Sequence, residues 1–251
     1  MSRRPGDDHY SYTTYADPET ARTFDDRRFG GPIGELVAGM QARAIANMVG
    51  RIAERPILDV GTGTGRAALL FARGGAFVTG MDASEQMLGI ARRRAEKEGL
   101  QVKFIRGDAH ELDFPDRAFD VAISLRVLMH TPKWRGCIAE LCRVSERLVI
   151  IDYPSATSAA WFESLWRRTR HSMGTRNEPY RVFTHEEIAD AFDRSGFAIR
   201  SAHRTFVLPI AFHKLFGSQR LTLRIEGFLD RIHLRERLGS PVTLVAERCA
   251  F

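Results

Sequence analysis

The sequence predicts an α/β fold built on a mostly parallel β-sheet, with helices on both faces of the sheet and additional cap insertions. Short apolar, β-prone segments alternate with stretches of helical periodicity through the middle of this 251-residue chain. The first three of these segments carry an aspartate at or next to their carboxyl end, and the first leads through a glycine-rich turn into a helix. Because open α/β sheets bind ligands beyond the carboxyl ends of their strands, these observations also predict where the functional site lies.

The glycine-rich turn is the most informative segment. An apolar strand reaches Asp59, and Gly61, Gly63 and Gly65 follow at alternate positions before a helix that we expect over residues 67–72. Glycine permits positive φ and close approach of the backbone to a ligand. A strand, a glycine-rich turn and a helix N-terminus in succession are typical of a nucleotide-type cofactor site.

The spacing of the glycines argues against a dinucleotide. The dinucleotide fingerprint is G-x-G-x-x-G, and its third glycine would fall at Arg66, whose side chain crowds the place of a pyrophosphate. S-adenosylmethionine (SAM) has no phosphate, but it carries a cationic amine and an anionic carboxylate. Asp59 beside the backbone N–H groups of the turn suits those two charges. SAM is therefore favoured, and an NAD(P)-dependent oxidoreductase is the alternative.

Four more apolar segments continue the predicted sheet. They cover residues 76–82, 102–109, 119–125 and 147–152. Asp82 ends the first of these, about 20 positions after the first glycine, where an acidic residue holds a ribose diol in nucleotide-binding folds. Asp108 lies at the end of the next segment, and its carboxylate could accept a hydrogen bond from an adenine amino group.

These segments together resemble the class I SAM-dependent methyltransferases, in the broad group that includes quinone and small-molecule methyltransferases. The resemblance covers residues 57–152, and the stretches that carry it are 58–65, 80–88, 107–109, 114–120 and 140–144. It implies a Rossmann-like, seven-stranded sheet within a single domain. It also implies SAM as the cofactor and S-adenosylhomocysteine as the product.

The resemblance assigns roles to individual residues. The Gly61–Gly65 turn would hold the methionyl part of SAM, Asp82 the ribose hydroxyls, and Asp108 with Ala109 the adenine. The implied cofactor-binding residues are Asp59, Gly61, Thr62, Gly63, Gly65, Arg66, Asp82, Ala83, Met87, Asp108, Ala109, Leu125 and Arg126. The chain departs from the family before the fifth strand, where Val144 is followed directly by strand residues in place of a glycine-containing loop.

The flanking segments predict one elaborated domain over residues 1–251. Its expected parts are an N-terminal lid or tail at 1–32, a SAM-binding core at 33–152, a cap insertion at 153–183 and a C-terminal sheet half at 184–251. Two further strands are expected at 198–208 and 242–246, the second antiparallel to its neighbour. Between them lies an amphipathic insertion at 210–239.

Capping signals and periodicity predict the helices. A helix is expected over 33–51, and Ser84 is placed to cap the helix after the second strand. Thr184 with Glu187 three residues later predicts a capping box. The pattern of residues 210–239 predicts one or two amphipathic helices with basic outer faces. The favoured interpretation is that the basic face is exposed to solvent and that the apolar face packs on the core. Packing on the cap, a dimer face or contact with an anionic membrane are the alternatives.

His130 is the candidate catalytic residue. It follows the fourth strand, near the expected position of the transferred methyl group, and an imidazole titrates near neutrality. A structural role for this histidine stays open, because correct positioning of the acceptor can supply much of the rate acceleration without a base. The candidate substrate contacts are Tyr15, Arg28, Tyr153, Tyr180 and Arg181.

Composition narrows the class of protein. No stretch approaches the ~18 consecutive apolar residues of a membrane span, and the N-terminus lacks an apolar secretory segment. The three cysteines have no CxxC spacing, so we expect neither disulfides nor a metal site, and we expect a cytoplasmic location. The net charge of +6 lies mostly after residue 160, but no nucleic-acid-binding module or base-pocket motif accompanies it.

The sequence therefore predicts methyl transfer from SAM to an oxygen, nitrogen or carbon nucleophile of a small-molecule or lipid-linked metabolite. Nucleic acid is not expected as a partner, whereas peripheral contact with a membrane stays open. The sequence is compatible with a monomer or a homodimer. A non-catalytic SAM-binding or scaffold protein is a further alternative, because the catalytic residues of this fold are not fixed.

Overall fold

The computed structural model describes residues 17–158 and 181–250 of the chain. A seven-stranded sheet runs through these residues in the order β3-β2-β1-β4-β5-β7-β6. The strands are β1 Pro56–Val60, β2 Phe77–Asp82, β3 Val102–Arg106, β4 Phe119–Ser124, β5 Ser145–Tyr153, β6 Phe197–Phe206 and β7 Ser240–Arg248. The first five pair in parallel, and β7 is antiparallel to both of its neighbours. The predicted Rossmann-like, mostly parallel sheet is confirmed.

Helices surround this sheet, and several begin where the sequence signals predicted. Within the described ranges they are α1 Pro18–Phe29, α2 Gly31–Val49, α3 Arg66–Arg73, α4 Glu85–Lys97, α5 Trp134–Val144, α6 His185–Asp193, α7 Ile210–Phe216, α8 Gln219–Arg231 and α9 Leu234–Leu238. Ser84 Oγ accepts a hydrogen bond from the Met87 backbone N–H at the start of α4. Thr184 and Glu187 form the predicted capping box at the start of α6.

The central strands are buried on both faces because successive side chains point to opposite sides of the sheet. On one side, Leu58 and Ala122 belong to a cluster that packs under α5 and α6. On the other, Ile57 and Val121 belong to a cluster that packs under α2 and α3. None of these four side chains is exposed, which explains why the strands read as continuous apolar runs rather than as alternating ones.

The insertion between β6 and β7 differs from the expectation of one or two helices. It contains α7, α8 and α9, which are separated by residues in the left-handed region. Gly217, with φ of 62°, ends α7, and His233, with φ of 59°, precedes α9. The hydrophobic periodicity spans these breaks, so it could not reveal them.

Two predicted segments lie partly outside the described residues. Of the expected cap insertion at 153–183, residues 159–180 are not described, and neither are residues 1–16 of the N-terminal segment. The remainder of that segment forms α1, which Asp17 caps by accepting from the Thr20 backbone N–H at 2.7 Å. Pro18 occupies the first turn, where its missing N–H has no cost. The third strand also ends earlier than expected, at Arg106.

Candidate cofactor site

A cavity of about 640 Å³ lies at the carboxyl edge of the sheet, beyond β1, β2 and β4. The turn after β1, the ends of β2 and β3, the loop after β4 and parts of α1 to α4 form its walls. The predicted cofactor residues that line it are Asp59, Gly61, Thr62, Gly63, Arg66, Asp82, Ala83, Met87, Ala109, Leu125 and Arg126. Eleven of the cofactor-binding residues predicted from the sequence thus surround one cavity.

The glycine turn is shaped by two different requirements. Gly61 has φ of 73°, and a Cβ there would lie 2.2 Å from Val127 Cγ2, so the loop after β4 approaches too closely for any side chain. Gly63 also has positive φ, but a Cβ there would meet no atom within 4 Å, and its backbone borders the cavity. Gly65 lies behind the turn at the start of α3, against Ala91.

Asp82 connects the glycine turn to the start of α4. Its Oδ2 accepts from the Gly63 backbone N–H at 2.8 Å, and its Oδ1 accepts from the Ser84 backbone N–H at 2.9 Å. Burial raises the pKa of this carboxyl above its ordinary value. The two hydrogen bonds hold the carboxylate in one orientation at the cavity wall.

Asp59 is held in the same way from the other side of the turn. Its Oδ2 accepts from Thr62 Oγ1 at 2.6 Å and from the Ala68 backbone N–H, in the first turn of α3, at 3.0 Å. Burial raises the pKa of Asp59 to about 6, and the hydrogen bonds oppose that shift only in part. Asp59 is therefore a buried acid that titrates close to neutrality.

Asp152, at the end of β5, supports the site although it was given no role from the sequence. Its Oδ2 accepts from Gln41 Nε2 at 2.9 Å, and its Oδ1 accepts from the Arg126 backbone N–H. That bond holds Arg126 at a φ of 62°, an uncommon conformation for a residue with a side chain. The signal was available, since Asp152 ends an apolar strand as the other site aspartates do.

Two arginines meet an aromatic ring of α1 at the cavity. The guanidinium carbon of Arg66 lies 3.3 Å from the centroid of the Phe29 ring, and that of Arg126 lies 5.6 Å from it. Burial lowers the pKa of Arg66 to about 10, and the charge of Arg126 adds to this effect. In the described part of the chain, the buried Nη1 of Arg66 has no hydrogen-bond partner.

Asp25 connects helix α1 to the glycine turn and to α4 across the cavity. Its Oδ1 accepts from Thr64 Oγ1 at 3.0 Å, and its carboxylate forms an ion pair with Arg94 of α4. Phe24, Arg28 and Phe29 of the same helix line the cavity. Sequence reasoning missed Phe24, Asp25 and Phe29, although the Asp-Pro pair at 17–18 is a recognisable helix start.

The segment after β3 reaches the cavity through Gly107, Ala109 and His110. The Asp108 carboxylate is engaged beside it, because its Oδ1 accepts from the His110 backbone N–H at 2.9 Å and lies 2.7 Å from His110 Nδ1. The role of Ala109 at the adenine stays a prediction, and His110 is a second lining residue that the sequence did not single out. The contact of Asp108 with adenine also stays a prediction.

Of the remaining candidates, the structure brings His130 and Arg28 to the cavity. His130 is buried in a 3₁₀ turn at Leu128–His130, directly after the Arg126 loop, and it lines the cavity wall. Arg28 reaches the cavity from α1. Tyr15 and Tyr180 lie outside the described residues.

Tyr153 and Arg181 lie elsewhere. The Tyr153 side chain is 1% exposed and packs edge-to-face against Phe183, with its hydroxyl 3.0 Å from His185 Nδ1. Strand alternation explains this position, because Asp152 faces the site and its neighbour must therefore point the other way. Arg181 has an exposed side chain, and its backbone N–H donates to the Met129 carbonyl at 3.0 Å. Neither is carried into the proposed site.

Comparison with known proteins gives a family match over the segment that builds this site. Residues 57–147 match the family model described as a methyltransferase domain. The demethylmenaquinone methyltransferase of Thermus thermophilus is 40% identical over 114 residues, which are 43% of this chain and 52% of that protein. The phosphatidylethanolamine N-methyltransferase of Cereibacter sphaeroides is 38% identical over 102 residues, which are 39% and 50% of the two chains. The matches span about half the length of these relatives.

A solved structure extends the likeness to the whole fold. The magnesium protoporphyrin IX methyltransferase from Synechocystis PCC 6803, crystallised with bound SAM, superposes with a TM-score of 0.65 at 18% identity. The superposition covers 99% of this chain and 100% of that one. At this identity the likeness establishes the fold alone.

Among the helices of the described ranges, none has the length and apolar character needed to cross a bilayer.

Proposed function

We propose that this chain is a SAM-dependent methyltransferase, because residues 57–147 match a methyltransferase domain and the relatives that align with this segment are named as methyltransferases. Its acceptor would be an oxygen, nitrogen or carbon nucleophile of a small-molecule or lipid-linked metabolite. The observation that carries the proposal is a pair of carboxylates, buried Asp59 and partly buried Asp82, held by hydrogen bonds on the two sides of an open glycine turn.

The residues around the cavity fit SAM in size and in charge. A volume of about 640 Å³ is within the usual range for a site that takes a ligand of this size. The open space beside Gly63 allows close approach to the backbone, which a Cβ at that position would fill. Asp59 matches a cationic amine, and the buried Nη1 of Arg66, without a hydrogen-bond partner among the described residues, matches a carboxylate.

The chain's own residues have separable roles in this proposal. SAM, when bound, supplies an electrophilic methyl group on a sulfonium. Asp82 would accept hydrogen bonds from the ribose hydroxyls, and Asp59 with the Gly61–Gly65 turn would hold the methionyl end. Leu125 and Arg126 would close the wall after β4, and Met87 with Ala83 would complete the opposite wall.

His130 is the proposed proton acceptor for an acidic acceptor group, because it is buried at the cavity wall on the loop after β4. Holding the acceptor in line and excluding water are the other contributions that the cavity can make. Arg28 is proposed to contact the acceptor from α1.

The acceptor class rests on the relatives and on the cavity wall. The similar proteins are named as methyltransferases of a demethylmenaquinone and of a phospholipid, both of which are lipids. Phe24, Ala38 and Leu125 give the cavity wall an apolar part. These observations support a lipid-linked acceptor ahead of a nucleic acid, and a cytoplasmic location remains part of the proposal.

Calorimetric titration with SAM, S-adenosylhomocysteine and NADH tests the cofactor. We expect one-to-one binding of the two SAM-type ligands by the wild-type protein and its loss in Asp82→Ala. Asp193→Ala, which removes an exposed acid from α6, is the matched control and should bind normally. Binding of NADH alone would favour an oxidoreductase, and binding of none of the three would overturn the proposed cofactor.

Turnover separates an enzyme from a SAM-binding scaffold. Protein that binds SAM is supplied with reduced quinones, phosphatidylethanolamine and small hydroxylated or amino acceptors, and release of S-adenosylhomocysteine is measured. Release that depends on one acceptor class supports the proposal. Binding without release for any acceptor would favour the scaffold alternative.

A further inference from the structure

In the insertion between β6 and β7, helix α8 buries two polar side chains and exposes several of its apolar ones. On α8, Thr222 and Glu226 are 1% and 4% exposed, whereas Leu223 and Phe228 are 50% and 60% exposed. A surface helix ordinarily places its apolar stripe against the protein. Helix α8 therefore departs from this rule at Leu223 and Phe228, which face outward although they are apolar.

The buried polar side chains explain what fixes this orientation. Glu226 accepts from the backbone N–H groups of Val207 and Leu208, at 2.8 and 3.0 Å. It also lies 2.8 Å from His213 Nε2, and Thr222 Oγ1 lies 3.2 Å from His213 Nδ1. These bonds satisfy the buried polar groups of the helix, so the outward position of its apolar residues is a stable feature of the fold.

Helix α7 extends the exposed apolar surface. Leu215 is 83% exposed and Phe216 is 55% exposed, and the Phe216 ring packs on that of Phe212 at 5.1 Å. We call the outward side of α7 and α8 the insertion face; its apolar members are Phe212, Leu215, Phe216, Leu221, Leu223 and Phe228. Large apolar side chains exposed together on two neighbouring helices are typical of an interaction site.

The charge of the insertion face is basic. Arg220, Arg224 and Arg231 are exposed, and their spacing places them on one stripe of α8 between Leu223 and Phe228. Of the nearby acids, Glu226 is buried, and Asp230 is paired with Arg235 at 2.7 Å. Apolar side chains beside a stripe of arginines suit the boundary between the headgroups and the acyl chains of an anionic bilayer.

We propose that the insertion face docks on the surface of an anionic lipid bilayer. The apolar side chains would enter the acyl boundary, and the arginines would contact lipid phosphates. This inference goes beyond the proposed methyl transfer and does not depend on it. Binding to vesicles can be measured without SAM or an acceptor.

The insertion face adjoins the helix that covers the cavity. Lys214 Nζ of α7 donates to the carbonyls of Arg27 and Arg28 at the end of α1, at 3.2 and 3.4 Å. Gln219 Nε2 of α8 donates to the Pro32 carbonyl at 2.7 Å. A protein docked through this face would therefore hold α1, and with it one wall of the cavity, next to the bilayer.

Vesicle co-sedimentation tests the charge requirement. We expect the full chain to bind vesicles of phosphatidylcholine with phosphatidylglycerol and to bind pure phosphatidylcholine less, with weaker binding at higher salt. The double variant R220Q/R224Q should partition at least about tenfold less onto the anionic vesicles, given the usual contribution of a basic residue near such a surface. R51Q/R93Q, which removes two exposed arginines elsewhere, should bind as wild type.

The apolar requirement has its own matched pair. L215S/F216S should reduce binding to vesicles of both compositions. Phe77→Ser should not, because Phe77 is 67% exposed but lies on β2, near the opposite edge of the sheet from β6 and β7. Phe228→Trp should shift its emission to the blue when vesicles are added and be quenched by brominated lipid. Phe77→Trp should show neither change.

Three results would overturn the proposal. The first is a wild-type protein that does not bind anionic vesicles, or binding that the face variants leave unchanged. The second is a dimer that L215S/F216S dissociates while vesicle binding is absent, since a second copy would then cover the face. The third is a Phe228→Trp emission that is already blue-shifted without vesicles, since the chain itself would then cover it.

Discussion

Asp82 is a partly buried acid and Glu226 a buried one; both hold backbone N–H groups in place, yet they belong to different kinds of site. Asp82 accepts from Gly63 and Ser84 and borders a cavity of about 640 Å³. Glu226 accepts from Val207 and Leu208 and lies against His213 beneath a helix. Burial of an acid thus does not indicate a ligand site by itself. A neighbouring cavity is what makes Asp82 available to a ligand.

The largest expected effect concerns stability in the Glu226 region. Glu226→Ala leaves the backbone N–H groups of Val207 and Leu208 without their acceptor and removes the contact with His213, so the free energy of unfolding should fall by about 2–6 kcal/mol. Urea denaturation measures this change, and calorimetry should find unchanged affinity for S-adenosylhomocysteine in the folded variant. Glu236→Ala, at an exposed acid, is the control. A loss of affinity without a loss of stability would remove the distinction between the two acids.

Asp82→Asn should show the opposite pattern. The affinity for S-adenosylhomocysteine should fall about 10- to 100-fold, because a hydrogen bond to a charged group contributes about 1.5–3 kcal/mol. The amide keeps one acceptor for the turn, so the free energy of unfolding should change less than in Glu226→Ala. Calorimetry and urea denaturation on the same sample measure both quantities, with Asp193→Asn as control. Wild-type affinity in Asp82→Asn would contradict the assignment.

A third acid, Asp59, should make both the stability of the protein and its affinity for the ligand depend on pH. Its pKa is raised from 3.8 to about 6 in the folded protein, which therefore holds this proton more tightly than the unfolded chain does. The resulting stabilisation is present below pH ~4 and is lost as the pH rises through about 6. Ligand binding should respond in the opposite direction, because a cationic amine needs the ionised carboxylate.

We therefore expect the affinity for SAM to fall by up to about tenfold per pH unit below pH 6. Calorimetry across this range measures the fall, and urea denaturation follows the stability. Asp59→Asn should bind SAM more weakly and without this pH dependence. A variant that keeps the wild-type profile would show that another group titrates.

The smallest expected effect concerns the contact between α1 and the glycine turn. Thr64→Ala removes the hydrogen bond to Asp25, which contributes about 1 kcal/mol, so S-adenosylhomocysteine should dissociate several-fold faster. Stopped-flow displacement measures this rate. Thr23→Ala is the matched control, because the Thr23 hydroxyl donates within α1 to the Glu19 carbonyl. Equal rates in the two variants would mean that α1 does not retain the ligand.

The sequence predicted the cavity because its determinants are local. Each strand end and the turn that follows it are adjacent in the chain, so Asp59, Gly63 and Asp82 could be placed from spacing alone. Tyr153, a predicted substrate contact, follows the expected fifth strand, but position at a strand end does not say which face a side chain occupies. Its neighbour Asp152 accepts from Arg126, whereas Tyr153 packs on Phe183 in the core.

The orientation of α8 could not be predicted because its determinants are distant in sequence. The outward position of its basic residues was expected, but its apolar side chains were expected to face the core. Glu226 instead finds partners at Val207, Leu208 and His213, on preceding elements. A hydrophobic pattern cannot reveal that a glutamate will be buried and hydrogen-bonded to backbone and side-chain groups of other elements.

The position of β7 has a consequence for how this chain folds. β7 is the last of the strands, yet it pairs with both β5 and β6, and residues 148–151 of β5 are wholly buried. During synthesis, the β5 edge and the facing edge of β6 therefore lack this partner until residues 240–248 have emerged from the ribosome. Unpaired apolar strand edges invite association with other chains, and pairing over such a sequence distance is slow. The nine residues of β7 therefore complete two strand edges that synthesis of β5 and β6 leaves unpaired.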